Sequence, residues 1–330
     1  GSGGAIFSAE SLTLIDVIID DNKTARNGGG VSWFPSMGGQ VFSITDSTVS
    51  NNSATCTGSA NTGSQGGGLM LSPDTASGLG VTATVALERV RIVNNTAGRF
   101  GGGVAYFVPD TLVIKDSVLS GNVAVTGNGG GILLGTTPAQ QYGYGSRLAL
   151  DRSEVSNNTA QYGGGVFAVN DSPAAQSASG AGGLVSVNST ISGNTALTDD
   201  GGIALYGNVF AYIMNSTLAF NQATGAGSNA GGMLLNNGFV SGAVPPTENR
   251  PNQVSLSNSI LAKNLAADSS APDLNFRVNG TPQSAVEAGF NLIQSYPASS
   301  LALAGNGNNI VGVDPMLASL ELNGGRTQTH

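Results

Sequence analysis

Residues 156–169 read SNNTAQYGGGVFAV, and this phrase contains the pattern that recurs along the chain. An asparagine stands two residues before an alanine, a glycine triplet follows, and an apolar run comes next. The same asparagine–alanine spacing occurs at Asn52, Asn95, Asn122, Asn158, Asn194, Asn221 and Asn264. A phrase that recurs with fixed internal spacing indicates a repeat architecture.

Each repeat has an alternating pattern upstream of its asparagine. Counted back from the alanine, the fifth, tenth and twelfth positions are apolar in nearly every copy, and the eighth is polar. Alternation predicts short strands with one face inward, and the polar step predicts a bend between them. The glycine-led apolar residues begin a further strand, so the pattern predicts three short strands in each coil.

The spacing of the repeats decides between repeat architectures. Successive alanines are 27, 36 or 43 residues apart, which fits constant strands joined by loops of variable length. A propeller blade needs four antiparallel strands, and a 27-residue repeat is too short for that. The sequence therefore predicts an all-β fold, a right-handed parallel β-helix (solenoid) of about eight coils.

The composition agrees with a turn-rich β protein. Of 330 residues, 50 are glycine, which destabilises helix interiors, and only 10% are charged. The net charge is −8, so no basic surface for nucleic acid is expected. Cys56 is the only cysteine, which excludes an intrachain disulfide. No apolar run is long enough for a membrane span.

The repeated asparagines have a structural and a chemical interpretation. In stacked coils they lie one above another at roughly 4.8 Å, close enough for their amides to hydrogen-bond along the stack. Asparagine also tolerates the left-handed backbone of a sharp turn. Inward serines stand seven residues before six of the seven alanines, and they are expected to pair similarly or to bond the backbone. A structural ladder is therefore favoured over a catalytic or metal-binding row.

Two parts of the chain resemble known proteins. GGAI at Gly3–Ile6 and the later glycine phrases resemble bacterial right-handed parallel β-helix repeat proteins, close to the polymorphic outer-membrane protein repeats of autotransporter-like adhesins. The stretch from Asn258 to His330, with GFNLIQS and DPMLASLELNGGRTQTH, is similar to the end of secreted β-helix proteins of the choice-of-anchor type. The resemblance implies secretion, display on a bacterial cell surface and a chain truncated before an anchoring region.

The repeats and the resemblance together predict that the chain has two parts. Residues 1–266 hold the parallel β-helix repeats. Residues 267–330 form a less regular segment that caps or continues the helix, because an open solenoid end exposes unpaired strand edges.

Aromatic residues in loops are the candidates for glycan binding. Trp33 and Phe34 are adjacent, and Tyr142 and Tyr144 lie in a later loop. Both pairs follow a glycine-led strand, so we expect them to project from the same corner. The alternative is that they cover the core or pack on loop backbone. A platform for sugar rings would also include Phe100, Tyr106, Phe107 and Tyr162.

The adjacent carboxyls of Asp199 and Asp200 are the candidate for acid–base chemistry. They loosely resemble those of pectin hydrolases, which also need a Gly-His-Gly and an Arg-x-Lys that this chain lacks. Neighbouring strand side chains point to opposite faces, so a solvated corner is expected instead. No cofactor is expected; calcium is the one candidate, with oxygen ligands from Asp171, Asp199 or Asp273.

A row of charges alternates along successive repeats. Arg89 is expected to bridge Asp46 and Asp116, and Arg152 to pair with Asp116 and Glu154. Such surface pairs contribute about 0–1 kcal/mol each, so register and solubility are the expected roles. A lyase base at either arginine is the alternative.

The expected function is a secreted or cell-surface structural or adhesive protein without catalytic activity, such as a stalk, a fibre or a glycan-binding surface. One alternative is a polysaccharide lyase or glycoside hydrolase with a site in the loops. Another is a subunit that stacks end to end into extracellular filaments. Expected partners are polysaccharides, cell-surface glycans or further copies of the chain, and neither nucleic acid nor a membrane span is expected.

Overall fold

The computed structural model describes residues 2–56, 64–73, 82–136, 145–170, 182–207, 209–236, 252–267, 272–277, 285–305 and 307–330. Within these ranges the regular structure is all β, and strands of successive repeats pair in parallel to form four sheets. The fold is a parallel β-solenoid. A typical coil has four strands and not the predicted three, because a strand as short as Ser53–Ala54 follows the asparagine. A strand of two residues is too short to produce a recognisable alternation of apolar and polar residues.

Two sheets carry the longer strands. Sheet A contains Ile6–Ser8, Val31–Trp33, Leu69–Leu71, Val104–Tyr106, Ile132–Thr136, Val166–Asn170, Ile203–Gly207, Met233–Asn236 and Leu274–Arg277. Sheet B contains Leu12–Ile15, Gln40–Thr45, Ala83–Glu88, Thr111–Lys115, Arg147–Asp151, Gly182–Val187, Val209–Met214, Gln253–Ser257, Ala285–Gly289 and Leu303–Ala304.

The other two sheets are built from shorter strands. Sheet C contains Ile18–Asp20, Thr48–Ser50, Arg91–Val93, Val118–Ser120, Glu154–Ser156, Thr190–Ser192, Thr217–Ala219, Ile260–Ala262, Leu292–Ile293 and Ile310–Val311. Sheet D contains Lys23–Thr24, Ser53–Ala54, Thr96–Ala97, Val123–Ala124, Thr159–Tyr162, Thr195–Asp199, Gln222–Ala223 and Leu265–Ala266.

Strand register keeps each repeat position in one column. Val155 pairs with Ile191, and Ile191 pairs with Leu218. All three are fully buried in the main core, as the sequence pattern predicts. A slip by one residue would turn such a strand's inward side chain to solvent, so the buried column fixes the register.

Two bends of each coil contain a residue with left-handed backbone. The bend before sheet C has φ between 47° and 60° at Asp16, Asp46, Arg89, Asp116, Arg152, Asn188, Asn215, Asn258 and Phe290. The second bend places its left-handed residue directly before the ladder asparagine, as at Asn157 before Asn158. The expectation that the ladder asparagine itself makes the sharp turn is therefore wrong. Its neighbour turns the chain, which leaves the ladder side chain inside.

The structure contains the asparagine ladder. The backbone N–H and the Nδ2 of Asn122 both donate to Oδ1 of Asn158 at 2.9 Å, and Nδ2 also donates to the Ile92 carbonyl at 2.9 Å. Oδ1 of Asn122 accepts the two corresponding bonds from Asn95. The two bonds to the Oδ1 of the next coil repeat at Asn22, Asn52, Asn95, Asn158, Asn194 and Asn221. A fully paired amide can lie in the interior at little cost.

The ladder ends on a carboxyl group. Oδ1 of Asp273 accepts from the backbone N–H of Asn264 at 3.0 Å and from its Nδ2 at 2.8 Å. Asp273 also accepts the hydroxyl of Ser295. An acceptor without an amide N–H suits the last position, because no further partner has to be found for a side-chain donor.

A serine row runs beside the asparagine ladder. The backbone N–H of Ser153 donates to Oγ of Ser189 at 3.1 Å, and the Ser189 hydroxyl donates to the Val187 carbonyl at 2.8 Å. The row is continued by Asn291, whose Oδ1 accepts from the N–H of Ser259 at 3.0 Å. The serines therefore bond chiefly to backbone groups, which is the second of the two predicted arrangements.

Sheets B and C continue beyond residue 267. Ala285–Gly289 and Leu303–Ala304 extend sheet B, while Leu292–Ile293 and Ile310–Val311 extend sheet C. The described part of the C-terminal segment therefore prolongs the solenoid as far as Val311. The proposed division at 266 stays a prediction.

We predict that Asn158→Ala lowers the free energy of unfolding by about 3 kcal/mol or more, because it leaves both donors of Asn122 buried without their acceptor. Urea unfolding measures the change. The matched control is Asn157→Gly, at an exposed neighbour whose φ is 54°, with an expected change within about 0.5 kcal/mol. Equal effects of the two substitutions would contradict a structural ladder.

Candidate functional site

Trp33 lies in the core and not at the surface. The residue is 0% exposed, its ring lies 5.3 Å from that of Phe42, and its Nε1 donates to the Glu10 carbonyl at 2.7 Å. Alternation along its strand turns Trp33 to the same inward side as Val31. The expectation that Trp33 projects from a corner is wrong, and its ring has no surface to offer a glycan.

Phe34 is the surface member of the predicted aromatic pair. It is half-buried and stacks on Phe7 with ring centroids 5.7 Å apart. Phe7 itself is 58% exposed, so the two rings form a small exposed aromatic pair. Tyr142 and Tyr144 lie outside the described residues, and their part in a glycan platform stays a prediction.

The remaining platform residues are mostly buried. Tyr106 is an inward core residue. Phe167 belongs to a second apolar cluster, on the face of sheet A opposite to its neighbour Val166 in the main core. That cluster also includes Phe100 and Phe107, and the partly buried Tyr162 packs against it.

The charged row forms ion pairs between adjacent coils. Arg89 Nε and Asp46 Oδ1 are 2.6 Å apart, and Arg152 Nε and Asp116 Oδ1 are 2.8 Å apart. Each arginine also pairs with the acid that precedes it in sequence. Glu154 takes other partners, so its predicted pairing with Arg152 does not occur among the ion pairs of the described residues.

Asp199 and Asp200 stand at the corner between sheets D and A. Asp199 is 2% exposed, and its Oδ1 accepts the backbone N–H of Asn229 at 2.7 Å, while its Oδ2 accepts Nδ2 of the same residue at 2.7 Å. Oδ1 also accepts the N–H of Ala230 at 3.3 Å. Arg277 approaches Oδ2 to 3.6 Å. Asp199 therefore ties the following coil to this corner, and the predicted solvated corner is wrong.

Asp200 departs from the pattern of the stack. Its φ is 71°, and the equivalent position, three residues before the first inward residue of sheet A, holds a left-handed glycine in neighbouring coils, such as Gly129 and Gly163. A residue with a Cβ is disfavoured in this conformation. Asp200 is also 0% exposed. A strained and buried acid at a position that elsewhere takes glycine is a candidate for function.

Burial controls the protonation of Asp200. Its Oδ2 accepts the Tyr206 hydroxyl at 2.9 Å, while its Oδ1 has no hydrogen-bond partner among the described residues. Desolvation raises the pKa of Asp200 well above its usual range, and the neighbouring Asp199 raises it further. Burial likewise raises the pKa of Tyr206. The corner therefore favours a neutral acid beside a neutral phenol.

The acidic corner, defined as Asp199, Asp200, Tyr206, Asn229 and Arg277, holds two carboxyls in different environments. Asp199 accepts several hydrogen bonds and lies near the Arg277 guanidinium, whereas Asp200 is shielded from solvent by burial. A carboxyl that burial keeps neutral can donate a proton, which is the property that acid–base chemistry needs from Asp200. Asp200 has no exposed area, so a reacting group would need to enter the corner to meet it.

Sequence reasoning identified the adjacent acids but missed their partners. Tyr206 follows in the same coil, whereas Asn229 and Arg277 come from later coils. The signal for Asp200 was present, since it replaces the first glycine of the triplet found at Gly163. Nothing in the sequence marks Asn229 or Arg277.

The described residues contain no cluster of three or more His, Cys, Asp or Glu side chains that could hold a metal ion. Among the calcium candidates, Asp273 ends the asparagine ladder, Asp199 binds Asn229, and Asp171 lies outside the described residues. No helix in the described part of the chain is long and apolar enough to cross a membrane.

Comparisons with known proteins found no matching family model, no matching curated protein and no matching solved structure.

We predict that Asp200→Asn gains stability relative to the wild-type chain as the pH rises from about 4 towards neutrality. The unfolded carboxyl ionises in this range while the buried one keeps its proton, so the wild-type free energy of unfolding falls and the variant lacks this loss. Urea unfolding at several pH values measures the difference. A difference that does not change with pH would contradict the raised pKa.

Asp200→Gly is the companion variant, because glycine occupies the equivalent left-handed position at Gly163. Its free energy of unfolding should exceed that of Asp200→Asn by about 1 kcal/mol at every pH, since glycine also relieves the backbone strain. A loss of stability in this variant would mean that the carboxyl supports the fold.

Proposed function

We propose that this protein is a secreted or cell-surface structural or adhesive solenoid, a right-handed parallel β-helix of about eight coils that serves as a stalk or glycan-binding surface. The continuous asparagine ladder supports a structural role, because it stiffens the solenoid. Each buried amide from Asn52 to Asn264 binds both neighbouring coils, so adjacent coils are joined by polar bonds as well as by the core. A rod of this kind holds its side surfaces at fixed positions.

We further propose membership of the polymorphic outer-membrane protein-like repeats, with a C-terminal part of the choice-of-anchor type. GGAI at Gly3–Ile6 and DPMLASLELNGGRTQTH at 314–330 support this placement. An extracellular bacterial location follows from the same resemblance. Right-handedness follows from the strong bias of parallel crossover connections.

The exposed pair Phe7–Phe34 supports an adhesive surface. Two stacked rings near one end of sheet A offer the flat apolar area that sugar rings pack on. Because Trp33 is buried, the glycan-binding surface that we propose is centred on Phe34 and Phe7.

A second candidate is a polysaccharide lyase or glycoside hydrolase that uses the acidic corner. The strained, neutral Asp200 beside Asp199 favours it, because a carboxylic acid with a raised pKa can serve as a general acid. Self-assembly by end-to-end stacking is the third candidate, and no contact among the described residues favours it.

The test is incubation of the purified chain with acidic and neutral polysaccharides, with and without calcium, with binding and new chain ends both measured. We expect binding to one class of polymer and no new ends. Phe7→Ala should weaken binding several-fold, whereas Phe290→Ala, also 58% exposed, should leave it unchanged. Absence of binding to every polymer would contradict the adhesive role. New ends that Asp200→Asn abolishes would establish the enzyme instead.

A further inference from the structure

The outer face of sheet B carries exposed aromatic side chains that belong to none of the sites described above. In the strand Val209–Met214 the first, third and fifth residues are buried in the main core. Phe210, Tyr212 and Met214 therefore point outward. Tyr212 is 47% exposed, and its ring centroid lies 5.5 Å from that of Phe210. The two rings form one exposed aromatic pair.

A glycine makes room for the Phe210 ring. Gly183 is the partner of Phe210 on the adjacent strand, and a Cβ added to Gly183 would lie 1.9 Å from Cζ of Phe210. The tip of the ring therefore lies over this glycine. Arg147 is the partner of Gly183 on its other side, and its Cζ lies 5.9 Å from the Phe210 centroid. The missing side chain thus lets a cation and an aromatic ring meet from strands that are two places apart.

Arg147 has a guanidinium that is available to a ligand. The residue is exposed and takes part in none of the ion pairs of the described residues. Two carboxylates of the same sheet face already have partners, since Glu88 pairs with Arg89 and Asp151 with Arg152. A guanidinium beside an aromatic ring can still present its N–H groups to a carboxylate in two parallel hydrogen bonds.

Two further acids border this part of the sheet. The Asp110 carbonyl accepts the Arg147 N–H at 3.0 Å, but its carboxylate accepts the N–H of Thr111 at 2.7 Å. On the opposite side, Glu287 is exposed two strands from Tyr212 in the register. An anionic group is therefore favoured at the Arg147 side of the rings and disfavoured at the Glu287 side.

The surroundings of the rings suit a sugar chain. Val185 and Ser255 are the cross-strand neighbours of Tyr212, and both side chains are shorter than the aromatic ring beside them. Gln253 is exposed next to Phe210 and offers amide donors and an acceptor to hydroxyl groups. Aromatic area bordered by a few polar groups is typical of small-ligand sites. Two rings are far less than the roughly 800 Å² that each partner contributes to a standard protein interface.

We propose that the aromatic patch, defined as Arg147, Phe210, Tyr212 and Gln253, binds oligosaccharides that contain uronate. The sugar rings pack on the aromatic pair, and a carboxylate pairs with the guanidinium. This inference rests on the proposed glycan-binding function and assigns it a second surface. The patch lies six strands from the first coil, which carries Phe7, so the two surfaces are roughly 29 Å apart along the solenoid. A trisaccharide is too short to reach both.

The test is isothermal titration calorimetry of the full chain with trisaccharides of galacturonate, guluronate and mannuronate, each also as its methyl ester. We expect at least one acid trimer to bind at least about tenfold more tightly than its ester, because the ester keeps the ring and lacks the charge. Arg147→Gln should abolish this difference, and Tyr212→Ala should weaken binding of the acid trimer at least about tenfold. Both residues are exposed, so both variants should fold, which urea unfolding checks.

Matched controls locate the binding. Val41→Ala, at an outward residue of sheet B that is 38% exposed, should bind the trimer like wild type, and so should Phe7→Ala. Glu287→Gln should bind the acid trimer about twofold more tightly, and this gain should shrink at high salt.

Absence of binding to all three acid trimers, or equal affinity for acid and ester, would overturn the inference. Binding that Arg147→Gln and Tyr212→Ala leave unchanged would do so as well. In each of these cases, polymer binding that Phe7→Ala weakens would leave the proposed adhesive function standing. Absence of binding to every polymer and trimer would reject both.

Discussion

The hydrogen bonds between buried asparagine amides of successive coils are the constraint on which the solenoid depends. An amide without partners would destabilise the interior, whereas Asn122 between Asn95 and Asn158 has every polar atom paired. The pairing works only if each coil places an asparagine at the same height and angle. Corner geometry and strand register are therefore fixed at this position, while the connecting loops can differ in length.

The sequence could predict the ladders and the core because in a solenoid each residue contacts its own equivalents. The column through Val155 and Ile191 appears in the sequence as an aliphatic residue at the same position of every repeat. Features that do not repeat could not be found in this way. Asp273 takes the next ladder position although it lies outside the repeated phrase. The inward side of Trp33 follows from alternation with Val31, but the cover over its ring comes from Glu10 and Phe42, which lie outside its strand.

The acidic corner was only partly predictable for the same reason. Adjacency of Asp199 and Asp200 is a property of the sequence, but the environment of each carboxyl is assembled from several coils. A fully buried acid with one hydrogen bond, Asp200, and an acid with several, Asp199, can stand side by side because neighbouring residues at a corner meet different surroundings. The hydrogen bond from the Gln328 N–H to Glu154 joins segments far apart in the chain, and no periodic signal reports such a contact.

The ladder also bears on how such a chain changes in length over evolutionary time. Each interior coil presents donors to one neighbour and an acceptor to the other, and these sets are the same from Asn52 to Asn221. Duplication or loss of a whole coil therefore leaves no unmatched amide, whereas insertion of part of a coil breaks the pairing. The length of the solenoid is therefore expected to change by whole coils. Each added or lost coil changes the length by one strand spacing, roughly 4.8 Å.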